Sequence, residues 1–215
     1  FARLLRHALM SSLVAAAEAR AAQDASKRGP YLAPFLPSSE IVQRESLRML
    51  ELTSDAVLYD IGCGDARLLV EAARQHGCQG IGIDYDEAIV LKARESVAQS
   101  GLADAIAILH ENALETDLRA AHRIFVYLMP KGMAALRTTF VRILSEGGRI
   151  VSYVFSIPDL EPVEKLQPEP MTNLYLYTKD SLPAGESEYR PEEEEEEEEE
   201  KEEEKEEEDE EDEDD

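Results

Sequence analysis

The sequence predicts an α/β protein with a doubly wound, mostly parallel sheet. Short apolar runs of strand length alternate with stretches of helical periodicity over about residues 57–178. Some runs, such as IFVYL at 124–128, are apolar throughout, which suits strands that are buried on both faces. Helices between successive strands indicate crossovers, and crossovers join parallel strands.

The predicted elements follow one another closely. Ser38 or Ser39 is expected to cap a first helix that runs to about Leu52, since a serine hydroxyl can accept hydrogen bonds from the free N–H groups of the first turn. The predicted strands span 57–61, 80–84, 105–110, 123–128, 149–155 and 173–178. The predicted helices between them span 66–76, 86–100 and 131–145.

The chain is expected to begin with an amphipathic helical extension, residues 1–28, which is rich in alanine and carries leucines at helical spacing. Its first 17 residues contain two arginines and no acidic residue, a composition typical of a mitochondrial presequence. A mitochondrial location is therefore predicted. The alternative is a packing helix in a cytoplasmic protein. Three prolines in residues 29–40 then favour an extended segment that leads into the domain, which we place at 29–182.

The negative charge is concentrated at the other end of the chain. The net charge is −25 over 215 residues, and residues 192–215 hold 22 acidic residues and two lysines, which give −20. We expect 183–215 to be a linker and a disordered acidic tail, because like charges repel and the segment has no apolar area to bury. The tail is interpreted as a solvating appendage, with a tether for basic proteins as the alternative.

Several kinds of site are not expected. The two cysteines, Cys63 and Cys78, are too few for a disulfide framework, and neither shows metal-ligand spacing, so no metal site is predicted. No apolar run reaches the roughly 18 residues of a transmembrane helix, so none is expected in this chain. The acidic balance lacks the basic surface that nucleic-acid binding requires. We expect a monomer.

The segment VLYDIGCGDARLL, residues 57–69, predicts a ligand-binding loop between a strand and a helix. Gly62 and Gly64 have no Cβ, so the backbone can turn tightly there and approach a ligand closely. The helix that begins near Ala66 points its free N–H groups at the same place. A dinucleotide loop needs a glycine where Arg67 stands, and a Walker loop has no match, so neither is predicted.

Acidic residues around this loop indicate the kind of ligand. Asp60 and Asp65 flank it, which disfavours a polyphosphate and favours a ligand with positive charge. Asp84 ends the next predicted strand, 20 residues after Gly64, where a carboxylate can accept hydrogen bonds from both hydroxyls of a ribose. Asp86 is the better helix cap, which leaves Asp84 available. A nucleoside with a cationic extension, S-adenosylmethionine, meets this description.

The loop and the acidic strand end resemble motif I and the acidic motif of the class I S-adenosylmethionine-dependent methyltransferases. The segments 31–42, 117–133 and 147–162 resemble those of a narrower group, the mitochondrial protein-lysine methyltransferases of the FAM173 type. The resemblance covers about residues 30–178 and implies a Rossmann-like fold, S-adenosylmethionine as cofactor and a lysine of a protein substrate as acceptor. The alternatives are a small-molecule methyltransferase and a non-catalytic scaffold that binds basic proteins through its acidic tail.

The resemblance also implies the cofactor-binding positions. They are Asp60, Gly62, Cys63, Gly64, Asp84, Tyr85, Asn112 and Ala113. Among these, Asp60 lies near the ammonium of the methionine part, Asp84 at the ribose, and Asn112 with Ala113 beside the adenine. The sequence departs from the family pattern at two positions. Ala66 replaces the third loop glycine, a change that is tolerable if this residue has a helical φ, and Asn112 stands where aspartate is common.

A lysine acceptor requires a special environment, because its ammonium must first lose a proton. With a reference pKa near 10.4, a neutral amine at pH 7 costs on the order of 4 to 5 kcal/mol. A desolvated aromatic channel lowers that pKa. The candidate channel residues are Tyr31, Phe35, Tyr127 and Pro130. The sequence after the fourth strand lacks the [D/N]-P-P-[Y/F] pattern of enzymes that methylate nucleic-acid bases or glutamine, which disfavours a nucleic-acid substrate.

Overall fold

The computed structural model of the chain describes residues 38–185. The predicted N-terminal extension, the proline-rich segment with Tyr31 and Phe35, and the acidic tail all lie outside the described residues. The elements are α1 (Glu40–Leu50), β1 (Val57–Ile61), α2 (Arg67–His76), β2 (Gln79–Asp84), α3 (Glu87–Gln99), β3 (Ile106–His110), β4 (Arg123–Val126), α4 (Pro130–Ala135), α5 (Arg137–Ser145), β5 (Arg149–Tyr153), β6 (Glu164–Glu169) and β7 (Thr172–Tyr177). A short 3₁₀ helix, Lys179–Ser181, follows β7.

These strands form one seven-stranded sheet in the order β3-β2-β1-β4-β5-β7-β6. Strands β1 to β5 run parallel, and β7 is antiparallel to both of its neighbours, β5 and β6. The order reverses beside β1, and in open α/β sheets the ligand site lies at such a reversal, beyond the carboxyl ends of the strands. The predicted fold class, a doubly wound and mostly parallel sheet, is confirmed.

Two elements differ from the predictions. Strand β6 was not predicted, because its sequence EKLQPE combines charged side chains with a proline rather than an apolar run. It lies at the edge of the sheet and pairs with β7, a position where charge and proline are tolerated and protect against edge-to-edge association. The predicted helix 131–145 is two helices, α4 and α5, which meet at the buried Leu136.

The predicted helix caps are confirmed. The Ser39 hydroxyl accepts a hydrogen bond from the Val42 N–H at 3.2 Å and begins α1. The Asp86 carboxylate accepts from the Ala88 N–H at 2.8 Å and begins α3. Helix α1 ends two residues earlier than predicted, because Glu51 adopts a left-handed conformation with φ 49°.

The sheet is buried on both faces by different helices. Helices α1, α2 and α3 pack on one face, together with alternate strand residues such as Leu58 and Val151. Helices α4 and α5 pack on the other face, with the intervening strand residues such as Tyr59 and Ile150. We call the first side the α1 face. Because side chains alternate along a strand, Asp60 lies on the same face as Leu58, the α1 face.

Candidate active site

The loop that follows β1 is attached to the end of β2. The backbone N–H groups of Gly62 and Cys63 both donate to the carbonyl of Ile83, at 2.9 and 3.1 Å. Strands β1, β2, β4 and β5 are parallel, so their carboxyl ends lie at one edge of the sheet, with this loop at its centre. The predicted ligand loop and the predicted ribose carboxylate are thereby brought together.

Gly62 occupies a position that no other residue could take without a shift in the backbone. Its φ is +81°, in the left-handed region that favours glycine. A Cβ built there would lie 2.6 Å from the carbonyl oxygen of Tyr127, the residue that follows β4. The absence of a side chain therefore lets the loop lie against the end of β4.

Asp60 is a buried acid with an unsatisfied oxygen. It lies one residue before the end of β1, its side chain is on the α1 face and 2% exposed, and within residues 38–185 its Oδ1 has no hydrogen-bond partner. Burial raises the pKa of this carboxyl to about 8, and the negative charges of Asp84 and Asp65 add to the effect. A cation placed beside the loop would satisfy this oxygen and favour the ionised form.

Asp84 is held in place by two backbone groups. Its Oδ2 accepts a hydrogen bond from the Gly64 N–H at 3.1 Å, and its Oδ1 accepts from the Asp86 N–H at 3.0 Å. Burial raises its pKa, and these hydrogen bonds act in the opposite direction. A carboxylate offers about four lone-pair sites, so this partly exposed side chain retains the capacity to accept from a diol. The direct bond to Gly64 also fixes the distance between loop and acid.

The charge of Asp65 is neutralised locally, which the sequence reading did not foresee. Its carboxylate forms an ion pair with the guanidinium of Arg67, whose Nε lies 2.8 Å from Oδ1. The hydrogen bond from Arg67 is the main reason why the pKa of Asp65 is lowered. The negative charge available to a ligand at the loop therefore comes from Asp84, and from Asp60 when a cation favours its ionised form, rather than from Asp65.

Ala66 does not have a helical φ, which was the condition for an easy replacement of the third loop glycine. Its φ is 62°, and its N–H donates to the carbonyl of Cys63 at 3.0 Å, so it closes a tight turn before α2 begins at Arg67. The side chain is fully buried. A left-handed conformation costs a non-glycine residue roughly 1–2 kcal/mol. The loop thus keeps the backbone of a three-glycine motif despite the substitution.

Cys63 packs against β2. It is 6% exposed, and a Cβ on Gly82 would come within 2.9 Å of its Sγ. Burial is the main reason why the pKa of this thiol is well above its usual range, with the charge of Asp60 adding to it. A thiol in such a site is a poor nucleophile. Cys63 therefore fills a small space in the loop.

The segments after β2 and β3 lie side by side. The ring Nε2 of His110, the last residue of β3, is 3.0 Å from the carbonyl oxygen of Tyr85, a contact that no local sequence pattern indicates. Asn112 is engaged locally, since its amide donates to Glu115 at 2.8 Å. Ala113 is 7% exposed and presents no polar side chain. Tyr85, Asn112 and Ala113 therefore lie beyond the carboxyl ends of β2 and β3, and their place beside the adenine stays a prediction.

The end of β4 supplies the described channel candidates. Tyr127 is buried on the α1 face, and its ring centroid lies 5.5 Å from that of Tyr153 with the planes tilted by 53°. Pro130 is exposed at the first position of α4. Within residues 38–185 no cluster of three or more His, Cys, Asp or Glu side chains could hold a metal ion. No helix in that range is long and apolar enough to span a bilayer.

Comparisons with known proteins identify the family. Residues 60–164 match the model of the ANTKMT methyltransferase domain. The chain is 26% identical over 137 residues to a protein-lysine N-methyltransferase of Saccharolobus islandicus, covering 63% of this chain and 85% of the relative. It is 28% identical over 107 residues to the mouse adenine nucleotide translocase lysine N-methyltransferase, covering 49% of this chain and 46% of the relative.

A solved relative contains the demethylated form of the cofactor. The crystal structure of an RNA methyltransferase from Salinibacter ruber, in complex with S-adenosyl-L-homocysteine, superposes with a TM-score of 0.63 and 31% identity, covering 66% of this chain and 93% of that chain. The unsatisfied carboxylate of Asp60 and the side-chain-free loop at Gly62 suit the cationic methionine end of S-adenosylmethionine. The chain belongs to the class I S-adenosylmethionine-dependent methyltransferases and uses that cofactor.

Proposed function

We propose that the methyl acceptor is the side-chain amine of a lysine in a protein substrate. The observation that carries this proposal is the buried aromatic pair of Tyr127 and Tyr153, which lies on the α1 face next to the glycine loop. An aromatic, water-poor site disfavours an ammonium and so favours the neutral amine that methyl transfer needs. The protein-lysine relatives support the same acceptor.

The cofactor-binding residues have distinct roles in this proposal. Asp60 binds the ammonium of the methionine part, because its buried oxygen needs a positive partner. Asp84 accepts from the ribose hydroxyls while the Gly64 N–H holds it in position. Tyr85, Asn112 and Ala113 border the adenine. One side of the cofactor site is formed by Gly62, Cys63 and Gly64, which present no bulky side chains to it.

The chemistry requires positioning rather than a reactive residue. The cofactor supplies an activated methyl group on a positively charged sulfur. The substrate lysine would give up its proton to solvent, and its nitrogen lone pair would then accept this methyl group, with the N–C bond forming as the S–C bond breaks. The walls around Tyr127 orient the amine and exclude water, which is the contribution expected when the cofactor already carries the activated group. Phe35 and Tyr31 are proposed to complete the walls from the segment that precedes α1.

The sequence-based partners and location remain part of the proposal. We infer a mitochondrial location from the composition of residues 1–17, with a cytoplasmic protein as the alternative. The acidic tail is proposed to contact basic proteins through salt-sensitive attraction. A nucleic-acid substrate is disfavoured by the net charge of −25 and by the sequence after β4. Fluorescent tagging at the C-terminus, followed by colocalisation with a mitochondrial marker, tests the location.

The acceptor is tested by transfer of a labelled methyl group from S-adenosylmethionine into fractionated cell extract. The Asp84→Ala variant is the blank, because it removes the proposed ribose contact. A labelled protein band, with label on lysine after digestion, would support the proposal. Label confined to small metabolites would instead establish a small-molecule methyltransferase. Cofactor binding without any transfer would establish the non-catalytic scaffold.

A further inference from the structure

A row of side chains runs outward from Asp60 along the carboxyl edge of the α1 face. Asp60 is the register partner of Phe125 on β4. The ring of Phe125 stacks on Tyr153 at 6.2 Å, and Tyr153 contacts Tyr127 at 5.5 Å. All four side chains are nearly inaccessible to solvent. The row therefore begins at Asp60, the carboxylate proposed to bind the cofactor, and continues through the aromatic rings to β5.

Glu169 continues this row at the partly exposed outer end. It ends β6, which runs in the same direction as β5 because both are antiparallel to β7, so Glu169 lies at the same sheet edge as Tyr153. Glu169 pairs with Thr172, and Thr172 is two residues from Leu174, the register partner of Tyr153. Residues two apart on a strand share a face, so Glu169 and Tyr153 are both on the α1 face.

A register irregularity produces this orientation. Leu166 is three residues before Glu169 and also packs on the α1 face, although residues three apart on a regular strand point to opposite faces. The register shifts between Leu166 and Glu169, which is the pattern of a β-bulge. Bulges commonly re-aim a side chain next to an active site. Here the shift places the carboxylate of Glu169 on the α1 face, with the aromatic rings, instead of on the opposite face of the sheet.

Two further observations indicate that the carboxylate of Glu169 lies on the α1 face near Tyr153. The hydroxyl of Ser39, at the start of α1, donates to Glu169 Oε2 at 2.7 Å, which confirms the face and holds the side chain. Burial raises the pKa of Tyr153, and the charge of Glu169 is the next cause. A carboxylate that accepts one hydrogen bond from a hydroxyl keeps lone pairs for a further donor.

We propose that Glu169 is the entrance residue that captures the ammonium of the substrate lysine and directs it along Tyr153 and Tyr127 toward the cofactor. This role rests on the proposed lysine acceptor. Glu169 acts as a positioning residue, since it lies at the outer end of the row and does not reach the reacting atoms. The negative charge of Glu169 attracts the ammonium and orients it toward the rings.

The arrangement separates capture from deprotonation. A carboxylate stabilises the ammonium form, so an acid directly at the methyl group would oppose formation of the neutral amine. A carboxylate at the outer end attracts the ammonium of the substrate from solvent. This attraction weakens as the amine moves toward the cofactor, because Coulomb energy falls with distance. The rings of Tyr153 and Tyr127 then disfavour the charged ammonium by desolvation. The order of the side chains, with the acid outside and the rings inside, fits this sequence of events.

The test uses the Glu169→Gln variant of the full chain with the labelled protein acceptor from the extract experiment. The amide oxygen of glutamine still accepts from Ser39, so the substitution removes the charge and keeps the hydrogen bond. We expect the KM for the protein acceptor to rise about tenfold, as for loss of a hydrogen bond to a charged group. We expect kcat to change less, and the Tm and the Kd for S-adenosylmethionine to stay at the wild-type values.

Glu164→Gln is the matched control. Glu164 lies at the opposite end of β6, where its carboxylate contacts the guanidinium of Arg48 at 2.5 Å on the surface. We expect wild-type KM and kcat for this variant. The wild-type KM should also rise with added salt, and Glu169→Gln should flatten that dependence, a readout that a purely structural role would not change.

The outcomes distinguish the two proposals. A wild-type KM and salt dependence in Glu169→Gln, with normal transfer to protein lysine, would overturn the role of Glu169 alone. An equal rise of KM in Glu164→Gln would also overturn it, because the effect would then belong to general surface charge. A wild-type enzyme that labels no protein would overturn the lysine acceptor, and the capture role with it.

Discussion

The α-carbon of Gly62 faces the backbone carbonyl of Tyr127 so closely that a Cβ on Gly62 would lie 2.6 Å from that oxygen. The contact joins the loop after β1 to the chain after β4. The loop carries the proposed cofactor contacts, and the chain after β4 carries the proposed acceptor wall. A shift of the loop at Gly62 therefore changes the distance between the two reactants as well as the binding of one of them.

Gly62→Ala is expected to abolish cofactor binding and to destabilise the fold by roughly 1–3 kcal/mol, the cost of an overpacked site. Gly101→Ala is the matched control, because Gly101 also has a positive φ, +72°, but has no atom within 4 Å of its built Cβ. The control should lose only the smaller amount of stability that a positive φ costs an alanine, and it should bind S-adenosylmethionine normally. Calorimetric titration and thermal unfolding measure both effects. Wild-type affinity in Gly62→Ala would contradict the geometry.

Asp60→Asn is expected to stabilise the cofactor-free protein near neutral pH. The carboxyl has a pKa of about 8 in the folded state, against an ordinary value of 3.8 for aspartate, so the folded state holds the proton more tightly. Between about pH 4 and pH 8 the free energy of unfolding therefore falls as pH rises, by up to ~1.4 kcal/mol per pH unit. The neutral amide removes this slope.

Denaturant unfolding of both proteins at pH 5, 6, 7 and 8 checks the expectation, with the stability gain of Asp60→Asn growing toward pH 8. Asp65→Asn is the control with the opposite sign. Its pKa is lowered by Arg67, so the ionised form stabilises the folded state at neutral pH and the amide should cost a little stability there. A pH-independent difference between Asp60→Asn and wild type would show that Asp60 is not protonated in the folded protein.

Cofactor binding is expected to release a proton. Below about pH 8 Asp60 is protonated in the free protein, and a cation beside it favours the ionised form. Affinity for S-adenosylmethionine should therefore increase from pH 6 to pH 8. Calorimetry in buffers with different ionisation enthalpies counts the protons released, and Asp60→Asn should lose this release. Equal proton release in the wild type and the variant would assign it to a different group.

Tyr127→Ala is expected to lower kcat for methyl transfer at least tenfold while the affinity for S-adenosylmethionine stays near wild type, since the ring orients the acceptor. The large-to-small change also costs about 3–5 kcal/mol of stability. Phe140→Ala is the control, because Phe140 is a fully buried aromatic residue on the opposite face of the sheet. It should lose comparable stability and keep kcat. Unchanged turnover in Tyr127→Ala would remove it from the acceptor site.

The loop after β1 and the acid after β2 could be predicted from sequence because their signals are local. Two glycines with an acid mark the turn, and a fixed spacing leads from Gly64 to Asp84. Parallel strands bring these local features to one edge, and the observed 3.1 Å bond between them follows from that topology. The helix caps Ser39 and Asp86 were predictable for the same reason, since each acts within its own first turn.

Other features could not be predicted from local sequence patterns. Strand β6 has no apolar run, and it exists because β7 offers an unpaired edge. The left-handed φ of Ala66 is imposed by the turn that joins β1 to α2. The pairing of Asp65 with Arg67 decides which acids face the ligand, although the two residues are neighbours in sequence.

By itself, the sequence determined the alternation of strands and helices and the ligand class, because periodicity and glycine spacing are properties of short segments. The tertiary structure decided which acids near the loop form an ion pair and which aromatic rings lie next to the loop. Burial sets the pKa of Asp60, and the register across β5, β7 and β6 brings Glu169 to the face of Tyr153. Both effects depend on what surrounds a side chain, and that is fixed only when the sheet is assembled.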